Sequence, residues 1–351
     1  MKSITIYLNV KCNIDCDYCY VQKKSSFMDR QRFEKILRWF IGQEGQEKNI
    51  NFLAGEPLLS ADLLVGLKDF LRGIGANKRI VIHNIPTNGI LLNKEMLMRL
   101  KEEGIKLDFS LDGLQFEHNR FRTKKKFLFD KILNNIEIYK KYYELPRIKC
   151  TVHPEMAKDL DKRIAEFLKK GFRDIQILPV CALPWNGEQV QAYRDSIDRI
   201  TLFYFKYLKM GRDDIKIYPL KSDIQKVLNG EASDGAWSCQ LGSEPVFMPD
   251  GMVYACTAVG HYNNPELMGK FCIGHIDTGV DIQKMQSLLN YKCQEEKNGC
   301  AQTIPNFCCR RILDTNTRGL ASPEDIARAF EVDAVTFLSV SSGLAPVRHG
   351  S

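Results

Sequence analysis

The sequence predicts an α/β fold of parallel strands linked by helices, followed by a smaller cysteine-rich region. Two observations carry this. Over roughly the first 210 residues, segments that alternate like strands and segments with helical apolar spacing follow one another in six βα units, as in parallel strands with helical crossovers. After about residue 215 the rhythm stops, and seven of the twelve cysteines fall between residues 239 and 309.

Residues 4–10 alternate like a strand, and residues 30–41 place apolar side chains at helical spacing. A strand at 49–53 and a helix at 61–71 form the second unit. The third is a strand at 80–85 with a helix at 94–103 that Gly104 ends as a C-cap. Strands at 106–111 and 147–152 each precede a helix, at 131–142 and at 157–170, the latter ending at Gly171. A strand at 175–180 and a helix from about 190 to 209 complete the series. Six units suit a partial (β/α)6 barrel, and periodicity equally allows an open doubly wound sheet. In a barrel the working residues sit just past the C-terminal ends of the strands.

The 351 residues suffice for one large α/β domain and a smaller one, and 44% hydrophobic with 26% charged is ordinary for a globular protein. No signal-peptide pattern opens the chain and no apolar run reaches membrane-spanning length, so neither membrane nor export is expected. In the cytoplasmic setting this implies, twelve cysteines read as metal ligands before disulfides. The net charge is +7, with a basic run at Arg122, Lys124, Lys125 and Lys126. That run reads as a solvated loop or helix start, or as a contact for an acidic peptide. No basic stripe with interleaved aromatics points to nucleic acid.

Directly after the first strand come Cys12, Cys16 and Cys19, spaced CxxxCxxC. A loop this short gathers three thiolates, soft ligands suited to an iron–sulfur cluster or to zinc. A structural zinc would want a fourth ligand nearby, and the next histidine is the distant His83. With Tyr18 before the third cysteine, the motif resembles the signature of the radical S-adenosylmethionine (SAM) enzymes. The resemblance implies a partial (β/α)6 TIM barrel and a 4Fe–4S cluster whose open iron takes SAM. It also implies reductive cleavage of SAM to a 5′-deoxyadenosyl radical, with an electron donor such as flavodoxin or ferredoxin.

Further landmarks follow the predicted strands. Ala54-Gly55-Glu56-Pro57 resembles the family's GGEP motif, which implies that Gly55, Glu56 and Pro57 approach SAM; a plain β-turn would use the same residues. Thr87-Asn88-Gly89, and Ser110-Leu111-Asp112-Gly113 with His118 and Arg122, resemble stretches of the peptide-modifying branch. The resemblance implies cofactor contacts for Tyr18, Asn88, Ser110, Asp112, Arg122 and Leu178. Cys150 reads as a buried apolar residue. Cys181, just past a strand end, is the candidate catalytic residue, a thiol able to give a hydrogen atom to a substrate radical.

In the second half, Pro249-Asp250-Gly251 between two β-like runs signals a hairpin. The spacing Cys239-x11-Gly251-x4-Cys256, followed by Gly274-His275-Ile276, resembles a SPASM or Twitch auxiliary-cluster module. Cys293, Cys300, Cys308 and Cys309 depart from the module's usual spacing, and the seven cysteines, counting Cys272, fit one or two auxiliary 4Fe–4S clusters, or a structural zinc. Thr257 stands where the resembling sulfatase maturases carry an aspartate base, which argues against formylglycine formation. Ser322-Pro323-Glu324-Asp325 predicts a helix start near the C-terminus. The expected divisions are a barrel at 1–212, an auxiliary module at 213–320, and a helix and tail at 321–351.

The resemblance as a whole implies hydrogen abstraction from a residue of a ribosomally made peptide, giving a crosslink, an epimerisation or an oxidation. With Cys12 so early, an N-terminal leader-binding domain is not expected. Leader recognition would fall to a separate protein or the C-terminal region, unless there is no leader. The alternatives are a Twitch-type dehydrogenase of a small molecule such as an aminosugar, sulfatase-maturase-like formylglycine formation, and an iron–sulfur electron carrier.

Overall fold

A computed structural model describes residues 1–19, 21, 25–75, 77–123, 127–180, 183–222, 224, 242–256 and 265–289. Eight strands run parallel in chain order: β1 (Ser3–Tyr7), β2 (Glu47–Leu53), β3 (Arg79–Ile82), β4 (Ile85–Thr87), β5 (Leu107–Ser110), β6 (Arg147–Val152), β7 (Asp174–Pro179) and β8 (Lys216–Tyr218). The order never reverses. A doubly wound sheet would reverse at a switch point, so the barrel alternative is the one realised.

The predicted strand at 80–85 is two strands. β3 pairs with β2, then the chain changes partner, His83 N donating to Ile50 O at 3.1 Å and Ile85 N to Lys106 O at 2.9 Å. The sheet therefore splits here into a part containing β1–β3 and a part containing β4–β8. The predicted helix at 61–71 is also two, α2 (Ala61–Leu64) and α3 (Leu67–Ile74). Gly66 turns between them at φ +77°, and the Glu103 carboxylate accepts from Gly66 N (2.6 Å) and Lys68 N (2.8 Å), capping α3 from a distance. β8, three residues long, is too short to show alternation in sequence.

The other helices are α1 (Arg30–Gly42), α4 (Lys94–Glu102), α5 (Gln115–His118), α6 (Leu128–Lys140), α7 (Leu160–Lys169) and α8 (Gly187–Lys209). Side-chain caps start three of them: Asp29 on Arg32 N, Asn93 on Met96 N, and Asn186 in a capping box with Gln189. Gly104 and Gly171 stand at positive φ just past α4 and α7, as their sequence positions predict. The helices bury one face on the strands. Phe33, Ile36, Leu37 and Phe40 of α1 are fully buried, and Phe109 of β5 meets Tyr139 of α6 edge-on at 5.3 Å.

The cysteine-rich half attaches to the edge of β1. β9 (Val246–Phe247) pairs with it in parallel, and β10 (Met252–Tyr254), β11 (Cys272–His275) and β12 (Gly279–Val280) follow antiparallel. Helices α9 (Pro265–Phe271) and α10 (Ile282–Leu289) flank β11 and β12. The predicted Pro-Asp-Gly turn joins β9 to β10, with Gly251 at φ +93°. Arg32 of α1 fastens this turn, donating to Pro249 O at 3.0 Å and reaching Asp277 at 3.4 Å, while Lys35 meets Asp277 at 2.8 Å. The predicted helix near 322–338 lies outside the described residues. Among the described residues no helix is long and apolar enough to cross a membrane.

A Cβ on Gly251 would collide with the His275 ring and stand 3.0 Å from Arg32 Nε, at a φ that side chains rarely adopt. Gly251→Ala should lower the melting temperature by several degrees, whereas Gly187→Ala, with open space around it, should leave it unchanged or raise it slightly. Paired thermal melts of the two variants check this.

Candidate functional site

The segment after β1 carries Cys12, Cys16 and Cys19 across the C-terminal ends of the strands, and three sets of contacts fix its path. The first is backbone packing against the residues after β2. Gly55 N donates to Asn9 O (3.2 Å) and Glu56 N to Lys11 O (2.8 Å). A Cβ on Gly55 would fall inside the Lys11 carbonyl and 3.0 Å from Cys12 N. Gly55 is therefore required by the cysteine loop itself. Asn9, which the sequence did not single out, locks the same junction, donating to Glu56 O (3.1 Å) and Ser60 Oγ (2.7 Å) and accepting from Lys11 N (3.1 Å).

The second set runs through Glu56, which is buried. Its carboxylate accepts from Leu58 N (3.0 Å), Thr87 Oγ1 (2.7 Å) and Asn88 N (2.8 Å). Burial pushes its pKa up, against the pull of these donors. Asn88 in turn donates to Asn13 Oδ1 at 2.8 Å and reaches Cys12 Sγ at 3.8 Å, while its own Oδ1 accepts from Ile90 N. Glu56 and Asn88 thus link the ends of β2 and β4 to the loop. Pro57 is buried at the start of the short 3-10 turn Pro57–Ser60.

The third set centres on Asp112, just past β5. One carboxylate oxygen accepts from Thr151 N on β6 (2.8 Å); the other accepts from Arg122 Nε (2.7 Å) and from the Tyr18 hydroxyl. The Arg122 guanidinium also lies over the Tyr18 ring at 5.7 Å. Asp112 and Arg122 are both buried. Burial disfavours the arginine's charge, and Asp112 more than restores it. Burial likewise pushes the Tyr18 hydroxyl up. Cys16 lies against this group; burial pushes its thiol up to about 12, against the attraction of Arg122. Asp17 N donates to Phe121 O at 2.9 Å, a further tie to the same segment.

His118 completes this cluster. Its Nδ1 accepts from Asp112 N at 3.2 Å, so the neutral ring carries its proton on Nε2, which is buried and has no partner among the described residues. Burial first and Arg122 second hold its pKa well below the usual histidine value. His153 does a structural job: it accepts from Glu155 N (3.2 Å) and stacks on Phe121 at 4.0 Å. Cys150 is fully buried.

Tyr18, Glu56, Asn88, Asp112 and Arg122 were expected as cofactor contacts. The structure brings all five together, with their polar atoms engaged in holding the loop and strand ends. Ser110 and Leu178 are half-buried at the ends of β5 and β7, Leu178 in register with Thr151. Cys181, Cys239, Cys293, Cys300, Cys308 and Cys309 lie outside the described residues, as does Thr257. Cys256 and Cys272 are described and half-buried, near the junction of β10 and β11, where Ala255 N donates to Phe271 O at 3.0 Å. Gly242 N donates to Ala255 O at 2.8 Å, which sets Gly242 beside the segment that carries Cys256.

The first three cysteines suit a cluster. None is in a disulfide, and Cys12 and Cys16 are half-buried while Cys19 is exposed. Among the described residues no three His, Cys, Asp or Glu side chains gather about one ion-sized point. Soft sulfur donors of this kind favour iron–sulfur chemistry.

Comparison with known proteins agrees. Residues 6–168 match the model of the Radical SAM superfamily. The Cysteine-type anaerobic sulfatase-maturating enzyme of Clostridium novyi (strain NT) is 26% identical over 284 residues, covering 73% of this chain and 74% of that protein. The structure of native anSMEcpe with bound AdoMet and Cp18Cys peptide superposes with a TM-score of 0.75 at 20% identity, over 94% of this chain and 99% of that one. Streptococcus suis SuiB bound to precursor peptide SuiA gives a TM-score of 0.53 at 15% identity, over 75% of this chain and 61% of that one.

Two outcomes follow from this geometry. Removing Arg122 alone leaves Asp112 charged and buried, so Arg122→Met should destabilise the protein by about 3–5 kcal/mol. The Arg122→Met, Asp112→Asn double variant should lose less than the sum of the single losses, read by denaturant unfolding. His118, with its folded pKa depressed, takes a proton more readily when unfolded. Its contribution is present above the unfolded value of about 6.5 and is lost as pH falls below it. His118→Gln should therefore flatten the fall in melting temperature between about pH 7 and pH 5.

Proposed function

With residues 6–168 forming the radical SAM domain of a radical SAM superfamily enzyme, we propose that this chain takes a hydrogen atom from a residue of a ribosomally made peptide. A crosslink, an epimerisation or an oxidation of that residue then follows. The observation that carries the reading is the loop of Cys12, Cys16 and Cys19, held at the strand ends by Gly55 and by Tyr18–Asp112–Arg122. In this reading the three thiolates hold a 4Fe–4S cluster and leave one iron for SAM. Once bound, cluster and SAM supply an electron and a carbon radical able to abstract hydrogen.

The chain's own residues have separable tasks. Arg122 keeps positive charge beside the buried Cys16, which favours the thiolate that ligation needs. Gly55 lets the loop backbone seat closely, while Glu56 and Asn88 keep the ends of β2 and β4 in place beneath it. Ser110 and Leu178, half-buried at strand ends, remain available to SAM.

The peptide substrate is supported by the maturating relatives and by the peptides bound to anSMEcpe and SuiB. An auxiliary module over residues 213–320 would use Cys239, Cys256 and some of Cys272, Cys293, Cys300, Cys308 and Cys309 for one or two further 4Fe–4S clusters. Cys181 is the proposed hydrogen donor, and a flavodoxin or ferredoxin the proposed electron source. The sulfatase-maturating relatives favour formylglycine formation as the second reading.

Anaerobically reconstituted protein should be brown and should convert SAM to 5′-deoxyadenosine in the presence of reductant. Cys12→Ala, Cys16→Ala or Cys19→Ala should each abolish that conversion, although auxiliary iron remains. Mass spectrometry of short peptides encoded beside the gene, after turnover, then separates the readings. A crosslink, epimer or desaturation supports the first, an aldehyde at a cysteine or serine supports the second, and no SAM cleavage by the wild-type protein rejects both.

A further inference from the structure

The interior of the barrel below the cysteine loop is polar where a barrel would ordinarily pack branched apolar side chains. The alternation of each strand shows which residues face inward. On β6, Ile148, Cys150 and Val152 are fully buried toward the helices, and Arg147, Lys149 and Thr151 are half-buried on the opposite face. On β5, Phe109 packs on Tyr139 of α6, which turns Asp108 and Ser110 inward. Ile175 and Ile177 of β7 and Ile217 of β8 are buried, which leaves Gln176 and Tyr218 on the inner face.

Strand register arranges these residues in two rows. Ser110 pairs with Lys149, Lys149 with Gln176, and Gln176 with Tyr218, so a hydroxyl, an ammonium, an amide and a phenol stand side by side across four strands. In the row below, Arg147 pairs with Asp174 and Asp174 with Lys216, and Asp108 sits two residues before Ser110. That lower row alternates in sign and neutralises itself: Arg147 and Asp174 form an ion pair at 2.7 Å, and Asp108 accepts from Asn84 at 2.8 Å. The upper row has one formal charge, Lys149, whose nearest acid is Asp108 at the long distance of 3.7 Å. Across the interior, Glu244 is engaged by Asn51 (2.9 Å) and Thr5. Lys149 is half-buried, and burial lowers its pKa. An ammonium has three donors, and the one ion-pair partner of Lys149 among the described residues is Asp108.

We propose that Lys149, Gln176 and Tyr218 form a carboxylate subsite inside the barrel, which takes an acidic group of the bound substrate. Three polar side chains on adjacent strands stand in one row of the inner face, the ammonium supplies the charge, and the anion completes an ion pair that Asp108 makes only at 3.7 Å. Lys149 lies two residues before Thr151, whose backbone nitrogen touches Asp112 of the loop-holding cluster. The subsite is thus about 7 Å, two strand residues, below the level of that cluster. A substrate held there by an Asp or Glu side chain, or by a terminal carboxylate, would present a neighbouring position to the strand ends. This assignment rests on the proposed peptide chemistry for the substrate class, and it depends on Lys149 rather than on any residue of the cysteine loop.

The test uses anaerobically reconstituted full-length protein with SAM, and glutarate as the probe, with the uncharged glutaramide as its partner. Calorimetric titration should show glutarate binding to the wild type and glutaramide binding at least tenfold more weakly. Lys149→Met should weaken glutarate at least tenfold and Lys149→Arg should restore most of the affinity, with SAM affinity and SAM cleavage within twofold of wild type. Equal binding of glutarate to wild type and Lys149→Met, or no measurable binding to the wild type, overturns the proposal. A tenfold loss of SAM affinity in Lys149→Met also overturns it, because the carboxylate would then be the cofactor's own. SAM cleavage by the wild type separates a failure of this subsite from a failure of the radical reading. Wild-type-like melting of Lys149→Arg, with glutarate affinity as low as in Lys149→Met, likewise rejects the subsite.

Discussion

The constraint on which the strand ends depend is a backbone-on-backbone contact: the Lys11–Cys12 peptide rests directly on Gly55, leaving no room for a Cβ. Two hydrogen bonds between the same segments, from Gly55 N and Glu56 N, make the approach reciprocal. Everything at the strand ends takes its position from this junction. The cysteine loop cannot slide outward without losing those bonds, nor inward without collision. A loop of thiols otherwise has many conformations of similar energy; here one is selected by a glycine on the neighbouring strand.

Around that junction the protein keeps several ionisable groups out of water. Asp112, Arg122, Tyr18, Glu56 and His118 are buried together, and each is engaged by at least one protein partner. Isolated, any of these charges would be expensive to bury. Grouped, the Asp112 carboxylate receives three donors from three segments, the loop, the stretch after α5 and strand β6. The cluster is a poor source of net stability, since a packed apolar set could equal it. Its value is directional: apolar packing would not fix the orientation of the segment that carries Cys16.

The barrel has two chemically different levels. At the strand ends, side-chain polarity is satisfied internally and serves position. One level down, Lys149, Gln176 and Tyr218 form a half-buried inward-facing polar row, and such a row is where a ligand gains most. The attachment of β9 to the free edge of β1 matters to both levels. It continues the sheet that carries the cysteine loop, and it brings the chain before Val246, including Glu244, against Thr5 and Asn51. Arg32, reaching Pro249 and Asp277 from α1, ties the two halves together through a helix that packs on the same strands.

Much of this was written locally in the chain. Residue period separated strands from helices, Gly104 and Gly171 marked helix ends, and Pro249-Asp250-Gly251 marked a hairpin, because each depends on backbone conformations that neighbouring residues dictate. The spacing of Cys12, Cys16 and Cys19 likewise put all three on one short segment past β1. Only the tertiary structure could decide what depends on distant partners. The break of the 80–85 strand follows from Ile50 and Lys106 competing for its backbone, and the break of the 61–71 helix from a cap supplied by Glu103. Glu56, Asn88 and Asp112 stand out by position in the sequence. Their partners include Thr87, Asn13 and Tyr18, which lie 31, 75 and 94 residues away and which sequence spacing does not encode. The polar row through Lys149 exists only as register between four strands, and register is fixed when the barrel winds, not before.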